Sequence, residues 1–151
     1  MLKKFVLNHN ELIARGNGRC YGDAALGEAI FSTSKLNKFI SFDRLNGVIE
    51  CESGVLLSEI LDVTVTQGYF LLVTPGTKFI SVGGAIASDV HGKNHHTEGC
   101  FVECVLSFKI MDEKGVILNC SREENSDKFW ATIGGMGLTG IILSAKIKLK
   151  N

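Results

Sequence analysis

Residues 82–96 read V-G-G-A-I-A-S-D-V-H-G-K-N-H-H, and they are the most informative part of the chain. The paired glycines leave the backbone bare, so a ligand can approach main-chain N–H groups closely. Small residues follow, and then a run of polar and titratable side chains. This composition is typical of a phosphate cradle that leads into a reactive pocket. A glycine-rich surface loop with solvated histidines is the alternative that this segment leaves open.

The composition is that of an ordinary globular domain. The chain has 151 residues, of which 45% are hydrophobic and 21% charged, enough for one domain with a buried core. Lys plus Arg and Asp plus Glu are both 16, so the formal net charge is zero. A neutral chain lacks the field that attracts nucleic acid or an anionic membrane, and we expect neither partner.

Cysteine usage and the N-terminal sequence favour a reduced, cytoplasmic protein. The five cysteines are an odd number and form no Cys-x-x-Cys pair, so we expect free, mostly buried thiols. The first residues lack the apolar core of a secretory signal. No apolar run is long enough to cross a bilayer.

Two or three helices are indicated. Apolar residues recur at helical spacing over 56–67, with Ser58 as the candidate N-cap and Gly68 as the residue that ends the helix. A helix at 82–87 is predicted to begin with free N–H groups, following the paired glycines. A third helix is predicted at 123–132.

Short strands make up most of the remaining structure, which favours an α+β fold over a doubly wound sheet. The helix at 123–132 is expected to be capped near Ser121, just after a hairpin. The strands are predicted at 12–14, 39–42, 47–52, 69–73, 102–111, 116–119 and 141–149, with hairpin turns at 46–47 and 112–115.

Three glycine-rich loops, at 15–23, 74–92 and 134–140, indicate a long anionic ligand. Main-chain N–H groups can hold a pyrophosphate without many cationic side chains, so a dinucleotide suits them better than a small phosphate ester. Arg19 can add a bidentate contact. Three unrelated tight turns are the alternative. The Rossmann and P-loop motifs are both absent from the sequence.

Two other chemistries are weaker candidates. His91, His95 and His96 suggest a metal site, but a glycine and an asparagine interrupt the helical spacing, and no cysteine or glutamate motif completes a zinc site. We therefore predict no metal. Cys20 lies in the first glycine-rich loop, where N–H groups can lower a thiol pKa. A packed or cofactor-facing thiol is favoured over a nucleophile.

The three loops together resemble FAD-linked oxidases of the vanillyl-alcohol-oxidase (PCMH-type) superfamily. Residues 15–23, R-G-N-G-R-C-Y-G-D, look like the R-G-x-G-R-S-Y-G-D loop of these enzymes, with Cys20 in place of the usual serine. The other matching segments are P-G-T at 75–77, V-G-G-A-I at 82–86, D-V-H-G-K-N-H-H at 89–96, F-W-A-T-I-G-G at 129–135 and G-L-T-G-I-I at 137–142.

This resemblance implies a PCMH-type FAD-binding domain of two small α+β subdomains, at about 1–73 and 74–151, with FAD between them. It also implies a fragment that lacks the first strand and the C-terminal substrate domain of the family. A missing strand leaves an exposed sheet edge, through which we expect self-association. Members with covalent flavin often carry a histidine in the first loop, and this loop has none, so we expect non-covalent FAD.

The string H-G-K-N-H-H at 91–96 is similar to a branch that oxidises a sugar hydroxyl to a ketone on a polyprenyl-phosphate sugar, for the synthesis of cell-wall arabinose donors. We expect the FAD-binding domain of such an oxidoreductase, inactive without its substrate domain. The alternatives are an aldonolactone or alditol oxidase and, in another class, a non-catalytic nucleotide-binding module. His91 is expected near the flavin. By resemblance the FAD-binding residues are Arg15, Gly16, Asn17, Gly18, Arg19, Cys20, Tyr21, Gly22, Asp23, Pro75, Gly76, Thr77, Val82, Gly83, Gly84, Ala85, Ser88, Asp89, Val90, His91, Gly92, Gly137, Thr139, Ile141 and Ile142.

Overall fold

An antiparallel sheet of six strands carries the core in a computed structural model that describes residues 2–151. The α+β class predicted from the sequence is confirmed. No helix in this part of the chain is long and apolar enough to cross a membrane. The strands are β1 (Leu12–Arg15), β2 (Ala29–Ser32), β3 (Phe39–Asp43), β4 (Val48–Glu52), β5 (Phe70–Leu71), β6 (Val105–Met111), β7 (Ile117–Ser121) and β8 (Ile141–Lys150). The helices are α1 (Leu2–Leu7), α2 (Leu57–Thr64), α3 (Val82–Ala87), α4 (His95–Glu98) and α5 (Ser126–Thr132), with 3-10 turns at Val65–Gln67 and Phe101–Cys104.

β8 lies at the centre of this sheet. It pairs with β4 on one side and with β6 on the other, and its last residues pair with β5. Ala145, Ile147 and Leu149 are buried, whereas the lysines between them are exposed. Successive side chains of a strand point to opposite faces, so the alternation predicted over 141–149 is confirmed.

The core lies between one face of the sheet and the helices α2, α3 and α5. The rings of Phe108 in β6 and Phe129 in α5 stack with their centroids 5.3 Å apart, and both side chains are buried. Ile60 of α2 and Ile86 of α3 belong to the same buried cluster. Removal of these apolar side chains from water is the main stabilising contribution to the fold.

The start of α2 differs from the prediction. Its N-cap is Leu56, whose N–H donates to the carboxylate of Glu59 at 2.7 Å. Ser58 lies inside the helix and is buried, so the prediction of Ser58 as the N-cap is wrong. The Glu59 carboxylate satisfies an N–H group and places negative charge in the first turn, where the helix dipole favours it. Gly68 has a φ of 84°, which confirms it as the residue that ends this helical segment.

α5 begins later than predicted, at Ser126 instead of residue 123, after Asn125 in the left-handed conformation. The hydroxyl of Ser121 accepts the N–H groups of Glu123 and Glu124 at 3.1 and 3.0 Å. Ser121 therefore closes a turn ahead of α5, and the prediction that it caps the helix is wrong.

The boundaries of several strands also differ. β6 begins at Val105 instead of residue 102, because Phe101–Cys104 forms a 3-10 turn. β5 covers only two residues of the predicted strand at 69–73. The sequence reasoning missed β2 and α4, which have four residues each, and segments this short carry little periodicity.

β1 and β2 form a separate parallel pair, and Gly54 connects it to the rest of the fold. The N–H of Gly54 donates to the carbonyl oxygen of Leu36 at 2.7 Å. A Cβ atom built on Gly54 would lie 2.0 Å from the carbonyl oxygen of Thr33. The backbones therefore meet at a distance that only glycine permits. The division into subdomains at 1–73 and 74–151 stays a prediction, and the six-stranded sheet takes strands from both segments.

Replacing Gly54 by alanine is expected to lower the free energy of unfolding by about 1–3 kcal/mol, because backbone atoms cannot rotate away from the added methyl group. Urea denaturation followed by circular dichroism measures this loss. Gly76→Ala is the matched control, since a Cβ atom there meets nothing within 4 Å. It is expected to stay within about 0.5 kcal/mol of the wild type. Equal stability of the two variants would contradict the close contact at Gly54.

Candidate cofactor site

A cleft lies between the first glycine-rich loop (residues 15–23, "the first loop"), the start of α3 and the glycine-rich segment after α5. Most of its lining side chains are small, so a ligand can come close to the backbone. The lining residues are Ala14, Gly16, Asn17, Gly18, Arg19, Cys20, Ala24, Ala25, Thr33, Ser53, Ile80, Ser81, Gly83, Gly84, Ala87, Ser88, Val90, Met136, Gly137, Gly140 and Ile142.

The first loop is held against the cleft at its N-terminal end. The carbonyl oxygen of Arg15, the last residue of β1, accepts the N–H of Thr33 at 2.9 Å. The side-chain amide of Asn17 donates to the carbonyl oxygen of Phe79 at 2.7 Å. A Cβ atom on Gly16 would lie 2.2 Å from the hydroxyl oxygen of Ser81. Glycine at position 16 therefore lets the first loop pass directly over the residue that precedes α3.

The N–H groups of residues 17–22 are available to a ligand. Within residues 2–151, none of them donates to a backbone or side-chain acceptor. Gly18 and Gly22 have φ values of 64° and 59°, so the backbone turns here in a way that favours glycine. Successive unpaired N–H groups in a turn form a concave site for an anion.

The N–H groups at the start of α3 are used by the protein itself. Val82 donates to the carbonyl oxygen of Val55 and Gly83 to that of Ser53, both at 2.8 Å, and Gly84 donates to the hydroxyl of Ser81 at 3.2 Å. The prediction that this helix begins with free N–H groups is therefore wrong. The paired glycines serve close packing instead, since a Cβ atom on Gly83 would lie 3.0 Å from the Cβ of Ser53.

The structure brings some of the predicted site residues into the cleft and leaves others outside its lining. Val82, Ala85 and Ile141 are buried in the core clusters, and the hydroxyl of Thr139 is hydrogen-bonded to that of Thr132 at 2.8 Å. Those in the lining are Gly16, Asn17, Gly18, Arg19, Cys20, Gly83, Gly84, Ser88, Val90, Gly137 and Ile142. Those outside it are Arg15, Tyr21, Gly22, Asp23, Pro75, Gly76, Thr77, Val82, Ala85, Asp89, His91, Gly92, Thr139 and Ile141.

Sequence reasoning missed part of the lining. Ser53 and Thr33 lie far from the glycine-rich loops in sequence, and no motif marks them. Ser81 directly precedes the predicted helix 82–87, and this position could have marked it as an N-cap. In the structure Ser81 is the N-cap of α3, and its hydroxyl accepts the N–H of Gly84. The lining residues that were not predicted are Ala14, Ala24, Ala25, Thr33, Ser53, Ile80, Ser81, Ala87, Met136 and Gly140.

Asp89 has a structural contact. Its φ is 40°, a left-handed conformation that aspartate tolerates better than most residues. Its carboxylate accepts the N–H of Val102 at 2.9 Å, across to the 3-10 turn that precedes β6. This hydrogen bond gives the Val102 N–H, at the start of that turn, an acceptor. It also fixes the direction of the chain after α3.

The three histidines of the H-G-K-N-H-H string lie side by side on the surface. The ring centroids of His91 and His95 are 5.3 Å apart, and those of His95 and His96 are 3.8 Å apart. Nδ1 of His95 is hydrogen-bonded to the carbonyl oxygen of Gly92 at 3.0 Å. Among residues 2–151, no three His, Cys, Asp or Glu side chains are grouped so that they could hold a metal ion.

Comparison with known proteins identifies the family. A family model described as "FAD binding domain" matches residues 2–121. The chain belongs to this family. The resemblance seen in the glycine-rich loops is thereby confirmed.

Curated relatives are much longer proteins. Decaprenylphosphoryl-beta-D-ribose oxidase of Mycolicibacterium smegmatis is 40% identical over 91% of this chain and 31% of its own length. D-lactate dehydrogenase of Anaerostipes hadrus is 30% identical over 82% of the chain and 27% of its own length. A putative D-arabinono-1,4-lactone oxidase of Neurospora crassa is 29% identical over 79% and 21%. The chain spans less than a third of each of these relatives.

FAD fits the chemistry of the cleft. The unpaired N–H groups at 17–20, where the first loop lines the cleft, suit the acceptor oxygens of its pyrophosphate, and Arg19 supplies a cation beside them. The buried hydroxyl of Ser53 has no hydrogen-bond partner within residues 2–151. Such a group is satisfied when a polar ligand fills the cleft.

Cys20 is expected to be the fastest thiol to react. Burial raises the pKa of the Cys51 and Cys104 thiols to about 12, whereas Cys20 is exposed at the cleft. The thiolate is the nucleophile, so at pH 8 iodoacetamide is expected to label Cys20 and leave the two buried thiols intact. Peptide mapping by mass spectrometry measures this order, with Cys20→Ser as the control. Labelling of Cys51 at the rate of Cys20 in the folded chain would show that the core opens.

Proposed function

We propose that this chain holds FAD in the cleft between the first loop and α3, as the FAD-binding part of a flavin-dependent oxidoreductase. The observation that carries this proposal is the run of unpaired N–H groups at 17–20 in the cleft lining, in a chain that belongs to the FAD binding domain family. A pyrophosphate accepts hydrogen bonds from such groups without a basic surface. This agrees with a formal net charge of zero.

The substrate we propose is a sugar hydroxyl that is oxidised to a ketone, as on a polyprenyl-phosphate ribose that serves as a precursor of cell-wall arabinose donors. The support is the 40% identity to decaprenylphosphoryl-beta-D-ribose oxidase, against 29% to the lactone oxidase. Oxidation of an aldonolactone or an alditol is the alternative within the family. A non-catalytic nucleotide-binding module is the alternative from another class.

In this proposal the protein binds and orients FAD, and FAD carries out the oxidation. When bound, FAD supplies a hydride acceptor for oxidation of a carbinol carbon. The N–H groups of the first loop hold the anionic part, and Arg19 adds charge to that contact. We propose that His91 lies near the flavin on the substrate side. Its exposed ring follows directly after Val90, which lines the cleft.

Three further points belong to the proposal. We expect the groups that bind the sugar and its lipid to come from outside these 151 residues, since the relatives are about three times longer.

Self-association of the chain through an open sheet edge is also proposed. Within residues 2–151, β1 and β2 each have one strand neighbour, so each leaves one edge unpaired. A cytoplasmic location is proposed from the cysteine usage alone.

The purified chain is expected to retain a shifted flavin absorption band after incubation with FAD and desalting. Acid precipitation is expected to release the flavin into the supernatant, because we propose non-covalent binding. Flavin that stays in the pellet would contradict this, and Cys20→Ser would then test the thiol as the point of attachment.

The variant Arg19→Met tests whether FAD binds in the cleft. Loss of a charge-assisted hydrogen bond is expected to weaken FAD binding on the order of tenfold. Arg44→Met, an exposed arginine of the β3–β4 turn outside the cleft lining, is the control and is expected to bind FAD like the wild type. Flavin binding that is absent from the wild type, or equally weak in both variants, would count against the cleft as the site.

The substrate class is tested by anaerobic mixing with either a polyprenylphosphoryl ribose or an aldonolactone, using the FAD-loaded chain extended by the substrate-binding part that the proposal places outside these 151 residues. Loss of the oxidised-flavin absorbance is expected with the ribose compound and not with the lactone, whereas neither compound is expected to reduce the flavin of the 151-residue chain alone. Loss with the lactone alone would support the alternative within the family. Retained FAD that neither compound nor light reduces, and that passes no electrons to a dye, would support the non-catalytic module.

A further inference from the structure

Ser53 lines the cleft and carries a buried hydroxyl that the described residues 2–151 leave without a hydrogen-bond partner. The residue is 1% exposed, and its hydroxyl oxygen has no hydrogen-bond partner within residues 2–151. It is nevertheless one of the residues that line the cleft. A buried hydroxyl without a partner destabilises the folded state, so its position calls for a partner from outside the chain.

The backbone of Ser53 is held on both sides, which fixes where the hydroxyl can reach. Its N–H donates to the carbonyl oxygen of Leu143 in β8 at 2.9 Å, and its carbonyl oxygen accepts the N–H of Gly83 in α3 at 2.8 Å. A Cβ atom on Gly83 would lie 3.0 Å from the Cβ of Ser53 and 3.7 Å from its hydroxyl oxygen. Glycine at position 83 therefore avoids a close contact with the Cβ atom of Ser53 and adds no side chain beside its hydroxyl.

We propose that the Ser53 hydroxyl donates a hydrogen bond to a pyrophosphate oxygen of the bound FAD. This inference rests on the FAD site proposed above and adds a residue that the glycine-rich motifs do not contain. Phosphate oxygens only accept hydrogen bonds, and a hydroxyl can donate one. Ser53 shares the cleft with Gly16 and Gly18 of the first loop, whose neighbouring N–H groups are also unpaired. The same ligand segment can satisfy both.

The change Ser53→Ala separates this role from a structural one. Alanine removes the unsatisfied hydroxyl, so the FAD-free variant is expected to melt at the same temperature as the wild type or higher. Its affinity for FAD is expected to fall on the order of tenfold, because the lost hydrogen bond is to a charged group. A hydroxyl that only supports the fold would produce the opposite pattern.

Thr64→Val is the matched control. Thr64 is the other buried hydroxyl without a partner in residues 2–151, it is fully buried near the end of α2, and it does not line the cleft. Valine keeps its shape and removes the hydroxyl. This variant is expected to be as stable as the wild type or more so, and to bind FAD with unchanged affinity.

The test is a titration of the wild type, Ser53→Ala and Thr64→Val with FAD and separately with ADP, together with thermal melts of the FAD-free proteins. We expect Ser53→Ala to weaken FAD and ADP by a similar factor, since both contain the diphosphate. Ser53→Cys, which keeps the shape with a weaker donor, serves if the alanine variant does not fold and is expected to lose less affinity.

Three results would overturn the proposal. Unchanged FAD affinity of Ser53→Ala would mean that the hydroxyl has a partner other than the cofactor. A loss for FAD without a loss for ADP would exclude the pyrophosphate. A loss of melting temperature that accounts for the weaker binding would make the role structural. Failure of the wild type to bind FAD would be a different result, because it would remove the proposed function itself.

Discussion

Two backbone hydrogen bonds through Ser53 join the central strand of the sheet to the helix that borders the cleft. The Ser53 N–H reaches the carbonyl oxygen of Leu143 in β8, and the Ser53 carbonyl oxygen accepts the N–H of Gly83 in α3. β8 is itself fixed by β4 and β6 on its two sides. The position of α3 is therefore set by the sheet, so the side of the cleft that α3 borders is attached to the core. The first loop then closes the cleft from the side of the small β1–β2 pair, with Gly16 against Ser81.

This arrangement divides the N–H groups of the glycine-rich segments into two sets. Those at the start of α3 are used to anchor the helix, and those of residues 17–22 remain for a ligand. The division has an energetic reason, because buried N–H groups must have acceptors, whereas the groups in the exposed first loop can bond to water until a ligand replaces it. Glycine thus serves two purposes within one site, which are close packing at position 83 and backbone turns at Gly18 and Gly22.

The parts of the structure that depend on local pattern could be predicted from the sequence. The alternation of β8, the helix at 82–87 and the helix end at Gly68 all follow from spacing or from the conformational freedom of glycine. The state of the first two α3 N–H groups, those of Val82 and Gly83, could not be predicted, because their acceptors are the carbonyl oxygens of residues 55 and 53, well before α3 in the chain. Ser58 and Ser121 are residue types that commonly cap helices. At the start of α2, however, the Glu59 carboxylate accepts the N–H of Leu56, and Ser121 closes a turn ahead of α5 instead of capping it. Ser53 carries no motif, and only the fold shows that it is buried beside the cleft.

The unpaired N–H groups of the first loop have a consequence for how this segment can change its sequence. A contact made by the main chain does not depend on which side chain the residue carries, provided that the backbone keeps its path. The glycines that allow the turns and the close approach to Ser81 are constrained, and proline is excluded wherever an N–H is needed. Asn17 and Arg19 are constrained by the contacts proposed or observed for their side chains, and the remaining positions are open to exchange. A cysteine at position 20, where similar loops carry serine, is therefore a variation that leaves the means of holding an anion intact.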